Sequence, residues 1–233
     1  MKVVVGGCSI SDYTGAEIER VYGEILAENI GADYIHHGAG CGSNYRTWRN
    51  ITNLVMNNEI TEDDLILVQY TEPTRQEFWS AYVPSADYRF DQYKKIELRE
   101  QKYNGDIIRW KFNAHTWNDI NDAEHKFFKL KEEYFTSIEF DLERFEYNHY
   151  LFHNTIVSKN IKIAYIVPDY GIARFIDRFN KNGEIHIPDD MSTKVYPKSK
   201  DIHLLDDGCH LNQLGHMHLA TTIEKFLKKK QWI

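Results

Sequence analysis

A three-layer α/β sandwich, with a central parallel sheet flanked by helices on both faces, is the fold class this sequence predicts. Two observations carry that expectation. A continuous apolar run at residues 3–6 and largely apolar runs at 65–70 and 161–167 have the length and character of buried strands. Between the first of them, the apolar spacing changes to that of helices, so strands and helices alternate along the chain. A third observation qualifies the picture: the rhythm is interrupted once, between residues 72 and 160.

The elements follow in order. Residues 3–6 (Val-Val-Val-Gly) read as a central strand closed by glycine. Over 14–30, Ile18, Val21, Tyr22, Ile25, Leu26 and Ile30 share one helical face, and Gly31 supplies the stop. Residues 33–36 form a short second strand. A second helix is expected over 44–56, opened by a Ser or Asn cap after Gly42. Residues 65–70 are the third strand, and residues 161–167, ended by Pro168, the fourth. The last helix spans 214–227, with Lys228, Lys229 and Lys230 complementing the negative end of its dipole.

The interruption spans about ninety residues, far more than one crossover between neighbouring strands requires. Its first part, 76–104, is polar and aromatic-rich without a clean period; a mostly helical part follows at 121–158. The expectation is one domain over 1–233 with a largely helical, aromatic-rich insertion at about 72–160. The insertion would lie near the C-terminal edge of the sheet, where α/β proteins bind ligands. Aromatic residues make up 14% of the chain. In the insertion they serve either to pack long helices or as a platform for sugar rings.

Composition narrows the function. The net charge is -7, which disfavours a nucleic-acid partner because neutralising phosphates requires a basic surface. No apolar run approaches the roughly 20 residues that cross a bilayer. The first residues lack the regions of a signal peptide, and three cysteines, an odd number, fit a reducing compartment. The expected setting is therefore cytoplasmic, with no membrane partner.

The chemistry-bearing residues lie at the two ends of the chain. Asp207-Gly208-Cys209-His210 places a carboxylate three residues before an imidazole, so the carboxylate can accept a proton from one ring nitrogen and leave the other free as a base. Ser9 follows the first strand, in Gly6-Gly7-Cys8-Ser9. A serine hydroxyl there is a weak nucleophile until a base takes its proton, and Asp207 with His210 would supply that base.

The sequence here resembles the SGNH hydrolases, also called GDSL esterases. Gly7-Cys8-Ser9-Ile10-Ser11 is similar to the opening Gly-Asp-Ser block of that family. Asp207 to His210, followed by Leu211-Asn212-Gln213-Leu214-Gly215-His216, is similar to its closing block, the most specific of the matches. Gly40-Cys41-Gly42-Ser43-Asn44 resembles the second block, whose glycine offers an amide to an oxyanion. The blocks occur in the family's order and reach from one end of the chain to the other. The resemblance implies an SGNH/flavodoxin-like parallel sheet, with Ser9 as nucleophile, His210 as base and Asp207 as its orienting partner. It also implies an oxyanion hole built from the backbone N–H groups of Ser9 and Gly42, and no cofactor.

Two positions depart from the family's pattern. The aspartate before the serine is Cys8. At the end of the third strand, where the family has Gly-x-Asn-Asp, the chain reads Gln69-Tyr70-Thr71-Glu72-Pro73-Thr74-Arg75. The asparagine that would donate to the oxyanion is missing, and one such donor contributes about 3 kcal/mol of transition-state stabilisation. Asn44, Gln69, Thr71 and Arg75 are the candidates to replace it, Asn44 being favoured by its position at a helix start.

Gly38-Ala39-Gly40-Cys41-Gly42 misses the last glycine of a dinucleotide loop, and no phosphate-binding G-x-x-x-x-G-K-[ST] occurs. Cys8, Cys41 and Cys209 each adjoin a proposed site element, with His203, His216 and His218 near the last. Their spacings match no zinc pattern, so buried structural cysteine is the expectation, and no metal. His216 is expected to fix the loop of His210, His218 to face solvent or pack, and His36-His37 to pack or support the site. The expected function is a serine ester hydrolase acting on a short acyl ester, with an O-acetyl group on a carbohydrate as the preferred substrate class. The alternative is a catalytically weak or inactive binding or assembly protein on the same fold.

Overall fold

Lys2–Gly7 forms β1, with Val3, Val4 and Val5 entirely buried. The computed structural model describes residues 1–13, 18–38, 43–71, 76–79, 100–103, 106–111, 138–166 and 210–233. Within these, β1 is followed by helix α1 (Tyr22–Ile30), strand β2 (Asp33–Gly38), helix α2 (Asn44–Met56) and strand β3 (Leu65–Gln69). Strands β4 (Gln76–Trp79), β5 (Glu100–Tyr103) and β6 (Asp106–Lys111) come next. Helix α3 (Ile138–Val157), strand β7 (Lys162–Ile166) and helix α4 (Gln213–Lys229) complete the series.

Strands β2, β1, β3 and β7 form a parallel sheet in that order. Both faces are covered, which explains the largely apolar runs. Alternate residues sort onto opposite faces. Val3, Val5, Leu65, Leu67, Ala164 and Ile166 pack with Tyr22 and Leu26 of α1 and Leu219, Ile223 and Leu227 of α4. Val4, Ile66, Val68, Tyr70, Ile163 and Tyr165 pack with Trp48 and Ile51 of α2 and Phe145, Phe152 and Ile156 of α3. The result is helix, sheet, helix: the three-layer arrangement that the alternation predicts.

The helix ends follow local chemistry. Ser43 caps α2, its side chain accepting from the Arg46 N–H, and Asn212 caps α4 by accepting from the Gly215 N–H. α1 ends at Gly31 with φ 66, a left-handed conformation that a side chain would strain. α1 is shorter at its start than the periodicity over 14–30 predicts. Val21 is its extended N-cap, and the amides of Glu19 and Arg20 donate instead to Oε1 of Gln213 at 3.0 and 3.2 Å. Gln213 Nε2 in turn donates to the Arg20 carbonyl at 3.1 Å, so a side chain of α4 holds residues 19–20 out of the helix.

The insertion differs from the expectation in its first part. β4, β6 and β5 form a separate three-stranded antiparallel sheet, in the stretch that showed no clean period. Its helical part is represented by α3; residues 121–137 lie outside the described segments.

Under α3 the core is aromatic. The Tyr70 and Tyr165 rings stack 5.2 Å apart, the Tyr70 hydroxyl is bonded to His149 Nδ1, and the Tyr165 hydroxyl meets His153 Nδ1 at 2.8 Å. Burial depresses His149 to about 3, aided by the neighbouring His153, and lifts both tyrosines well above their ordinary value. Among the described residues no helix is long and apolar enough to cross a membrane.

Candidate functional site at the β1–β3 switch point

The strand order creates a site before any side chain is considered. From β1 the chain runs through α1 on one face to β2 at the sheet edge. It then crosses through α2 on the other face to β3, on the opposite side of β1. The connections from β1 and to β3 therefore diverge, leaving a crevice outside their C-terminal ends, where open α/β sheets bind ligands. Ser9 stands directly beyond β1, at the first position of a short 3-10 turn, Ser9–Ser11. Thr71 lies just beyond β3, and Asn44 opens α2.

The C-terminal segment contributes to the core layer that also buries the neighbours of Ser9. Cys8 and Ile10, on either side of Ser9, are buried in one cluster with Leu211, the residue after His210. His210 itself is half-buried. Residues from the two ends of the chain, about two hundred positions apart, thus share one core layer. Asp207, Gly42 and Arg75 lie outside the described residues, as do Cys41, Cys209 and His203.

Around the turn of Ser9 lies a buried polar network that no sequence motif marks. Gln69, 1% exposed, points its Oε1 at the end of β1. That oxygen accepts from the Cys8 N–H at 3.1 Å, the Cys8 thiol at 3.2 Å and the Ser11 hydroxyl at 3.1 Å. The Gln69 amide nitrogen donates to the Tyr70 carbonyl. Because a backbone N–H can only donate, the Cys8 amide fixes which end of the carboxamide faces the turn. Ser11, wholly buried, also meets the Tyr22 hydroxyl at 2.7 Å. The Tyr22 N–H donates to His216 Nδ1 at 3.2 Å, and the two rings stack. His216 thus braces α1 against α4, while residues 201–209 of the loop before His210 lie outside the described segments, and burial lowers the His216 imidazole to about 4. A signal for this network was present: Gln69 interrupts an apolar strand buried on both faces, and a buried carboxamide must find partners.

On the opposite side, Asn44 clamps the end of β3. Its Nδ2 donates to the Thr71 carbonyl at 2.8 Å, and its Oδ1 accepts from the Thr71 N–H at 2.9 Å. Both residues are at most 5% exposed. Asn44 is therefore bonded to backbone through both ends of its carboxamide, with one further N–H on the same nitrogen.

The polar turn after Ser9 reaches the sheet edge through Asp12. Its Oδ1 bonds His36 Nε2 at 3.2 Å, while His36 Nδ1 meets the Tyr34 hydroxyl at 2.9 Å. His36 therefore supports the turn. His37 turns its carbonyl to Arg46, which donates at 2.7 Å; burial first, and the Arg46 charge second, lower the His37 imidazole below its ordinary value. His218 is exposed on α4. Among the described residues no group of three or more His, Cys, Asp or Glu side chains is arranged to hold a metal ion.

Comparison with solved structures agrees with the topology. A protein from Desulfitobacterium hafniense DCB-2, provisionally named a lipolytic protein of the G-D-S-L family, superposes with a TM-score of 0.51. The match covers 96% of this chain and 98% of that one at 9% identity. A provisionally named acylhydrolase from Bacteroides fragilis NCTC 9343 gives a TM-score of 0.50 at 12% identity, over 98% of this chain and 87% of that one. The fold is that of the SGNH hydrolases. No protein-family model matches the chain, and no curated protein matches it in sequence.

Proposed function

We propose that the protein is a serine ester hydrolase that removes a short acyl group through an acyl-enzyme. The observation that supports the reading is that Cys8 and Ile10, on either side of Ser9, belong to the same core cluster as Leu211, the residue after His210. The Ser9 hydroxyl attacks the acyl carbon as His210 takes its proton, and Asp207 stabilises the imidazolium. The tetrahedral intermediate collapses, the alcohol leaves with the proton from His210, and Ser9 keeps the acyl group. Water, deprotonated by His210, then attacks the ester, and the acid departs as Ser9 regains its proton. The backbone N–H groups of Ser9 and Gly42 are the proposed oxyanion donors, and the remaining N–H of Asn44 is the proposed third. The Thr71 N–H is taken by Asn44, and Gln69, like Asn44, has one amide N–H engaged by a backbone carbonyl; Asn44 is preferred for its place at the start of α2. Arg75 remains the other candidate named from sequence. The proposed substrate class is a short acyl ester, with O-acetylated carbohydrate preferred because of the aromatic insertion and the resemblance of the motifs.

A second reading, a weak or inactive binding protein on the same scaffold, draws on the same region. Gln69 and Asn44 are both occupied with backbone where an oxyanion donor would be needed. A fluorophosphonate probe separates the two readings. Labelling of the wild type at Ser9, abolished in Ser9→Ala together with ester hydrolysis, is the expected result. Hydrolysis that persists in purified Ser9→Ala moves the nucleophile elsewhere, and an unlabelled wild type favours the binding protein.

A further inference from the structure

The turn that carries Ser9 leaves the sheet with an unmet donor. β1 pairs with β3 from Val3 opposite Leu65 to Gly6 opposite Val68, and beyond that register the Cys8 N–H finds no backbone acceptor on β3. Gln69 provides one from its side chain. It sits on the face that buries Leu65 and Leu67, where a third leucine would continue the core pattern. Instead its single oxygen gathers three donors, all from residues flanking Ser9. Space is reserved for this arrangement: a Cβ on Gly7 would lie 2.5 Å from Ser11 Oγ and 2.8 Å from Gln69 Oε1. The Ser11 hydroxyl then passes the link to Tyr22, whose N–H reaches His216 on the helix that follows His210.

We propose that Gln69 is a positioning residue: with Ser11 and Tyr22 it fixes the orientation of the 8–11 turn, and so of Ser9, relative to the segment carrying His210. The inference rests on the reading of Ser9 as nucleophile but not on the identity of the substrate. Removing the acceptor oxygen leaves the core filled and the turn unbraced. A leucine at 69 has nearly the same volume, whereas Gln69→Glu keeps an acceptor oxygen and, while protonated, a donor for the Tyr70 carbonyl.

Two measurements on the full chain test it. The first is alkylation of Cys8 by iodoacetamide, read by peptide mass spectrometry well below the unfolding temperature. Cys8 is 3% exposed, so its reaction reports opening of the turn whether or not the protein is an enzyme. The second is the rate of fluorophosphonate labelling at Ser9, with kcat and KM on a small acetyl ester. Gln69→Leu is expected to speed Cys8 alkylation at least tenfold and to slow Ser9 labelling and kcat at least tenfold, with KM within about twofold. Gln69→Glu is expected to stay within about threefold of wild type in both at mildly acid pH. Tyr22→Phe and Ser11→Ala, which each remove one oxygen, are expected to shift both readouts in the direction of Gln69→Leu and serve if that variant fails to fold. Alkylation of Cys8 unchanged in the folded variants overturns the proposal. So does faster alkylation with Ser9 labelling unchanged, since the turn would then be braced without being positioned for reaction. A wild type that never labels at Ser9 removes the nucleophile itself, and the positioning role falls with it.

Discussion

Asn44→Ala tests how the crevice is held open. Asn44 forms two bonds with the backbone of Thr71, at 2.8 and 2.9 Å, across the gap between the start of α2 and the end of β3. Alanine removes both partners and leaves a buried N–H and a buried C=O with nothing in reach. Each stranded group costs about 1–3 kcal/mol, so the expected loss is roughly 4 kcal/mol. For a chain of this size each kcal/mol lowers the midpoint by about 2–4 °C, giving a fall of roughly 10 °C. Urea and thermal unfolding followed by circular dichroism measure it directly. Thr71→Ala is the control, because it removes a side chain while keeping the clamp, and its cost is expected below about 1.5 kcal/mol. A loss under about 1 kcal/mol for Asn44→Ala would refute the reasoning. The same variant, assayed cold where it remains folded, reads the proposed oxyanion role: a hundredfold fall in kcat with KM nearly constant is expected of a lost donor. Lost stability with unchanged kcat leaves a hole of two amides.

Stability should fall as pH drops from about 6.5 toward 4, because His149 and His216 are held neutral in the fold, at about 3 and 4, whereas the unfolded chain protonates them near 6.5. The unfolded state then binds more protons, and with both groups acting the slope approaches about 3 kcal/mol per pH unit; a pH series of urea midpoints that is flat from 7 to 5, or unaltered in His149→Phe, contradicts this. Gly7→Ala should destabilise by several kcal/mol or fail to fold, since its Cβ would press on Ser11 and Gln69, and a variant with the wild-type urea midpoint would show that the 8–11 turn is looser than described.

Three strands of the central sheet, β1, β3 and β7, were legible because they are buried on both faces and read as largely apolar runs with a defined end, whereas β2, Asp33–Gly38, is a half-buried edge strand read from its place between two helices. α2 was legible to the residue because Ser43 is the cap its sequence advertises. The start of α1 was not. Ile18 and Val21 fit a helical face, and only Gln213, nearly two hundred residues away, explains why residues 19–20 bond elsewhere. The antiparallel sheet escaped notice because its strands alternate weakly, although one local signal was available. Tyr103 pairs with Asp106, so the residues joining β5 to β6 are Asn104-Gly105, a pair strongly associated with tight hairpins. In the candidate site, the sequence motifs single out Ser9 and His210 and nothing of their surroundings. The bracing by Gln69, Ser11, Tyr22 and His216 could not be read from them, because each belongs to a different element and only the fold makes them neighbours.

The two departures from the SGNH pattern meet in space. Cys8 replaces the acid before the serine, Gln69-Tyr70-Thr71 replaces the usual end of the third strand, and the Cys8 thiol lies 3.2 Å from Gln69 Oε1. An ionised carboxylate at position 8 would face that oxygen, two acceptors with no proton between them. Rotating the carboxamide would relieve the clash but turn its N–H groups toward the backbone N–H of residue 8 and take the acceptor from it. A thiol avoids the conflict, being a small weak donor that packs as an apolar group and leaves the oxygen free for the amide. The residues at 8 and 69 therefore constrain one another. The residues at the end of β3 thus bring in the acceptor around which the turn of Ser9 is built.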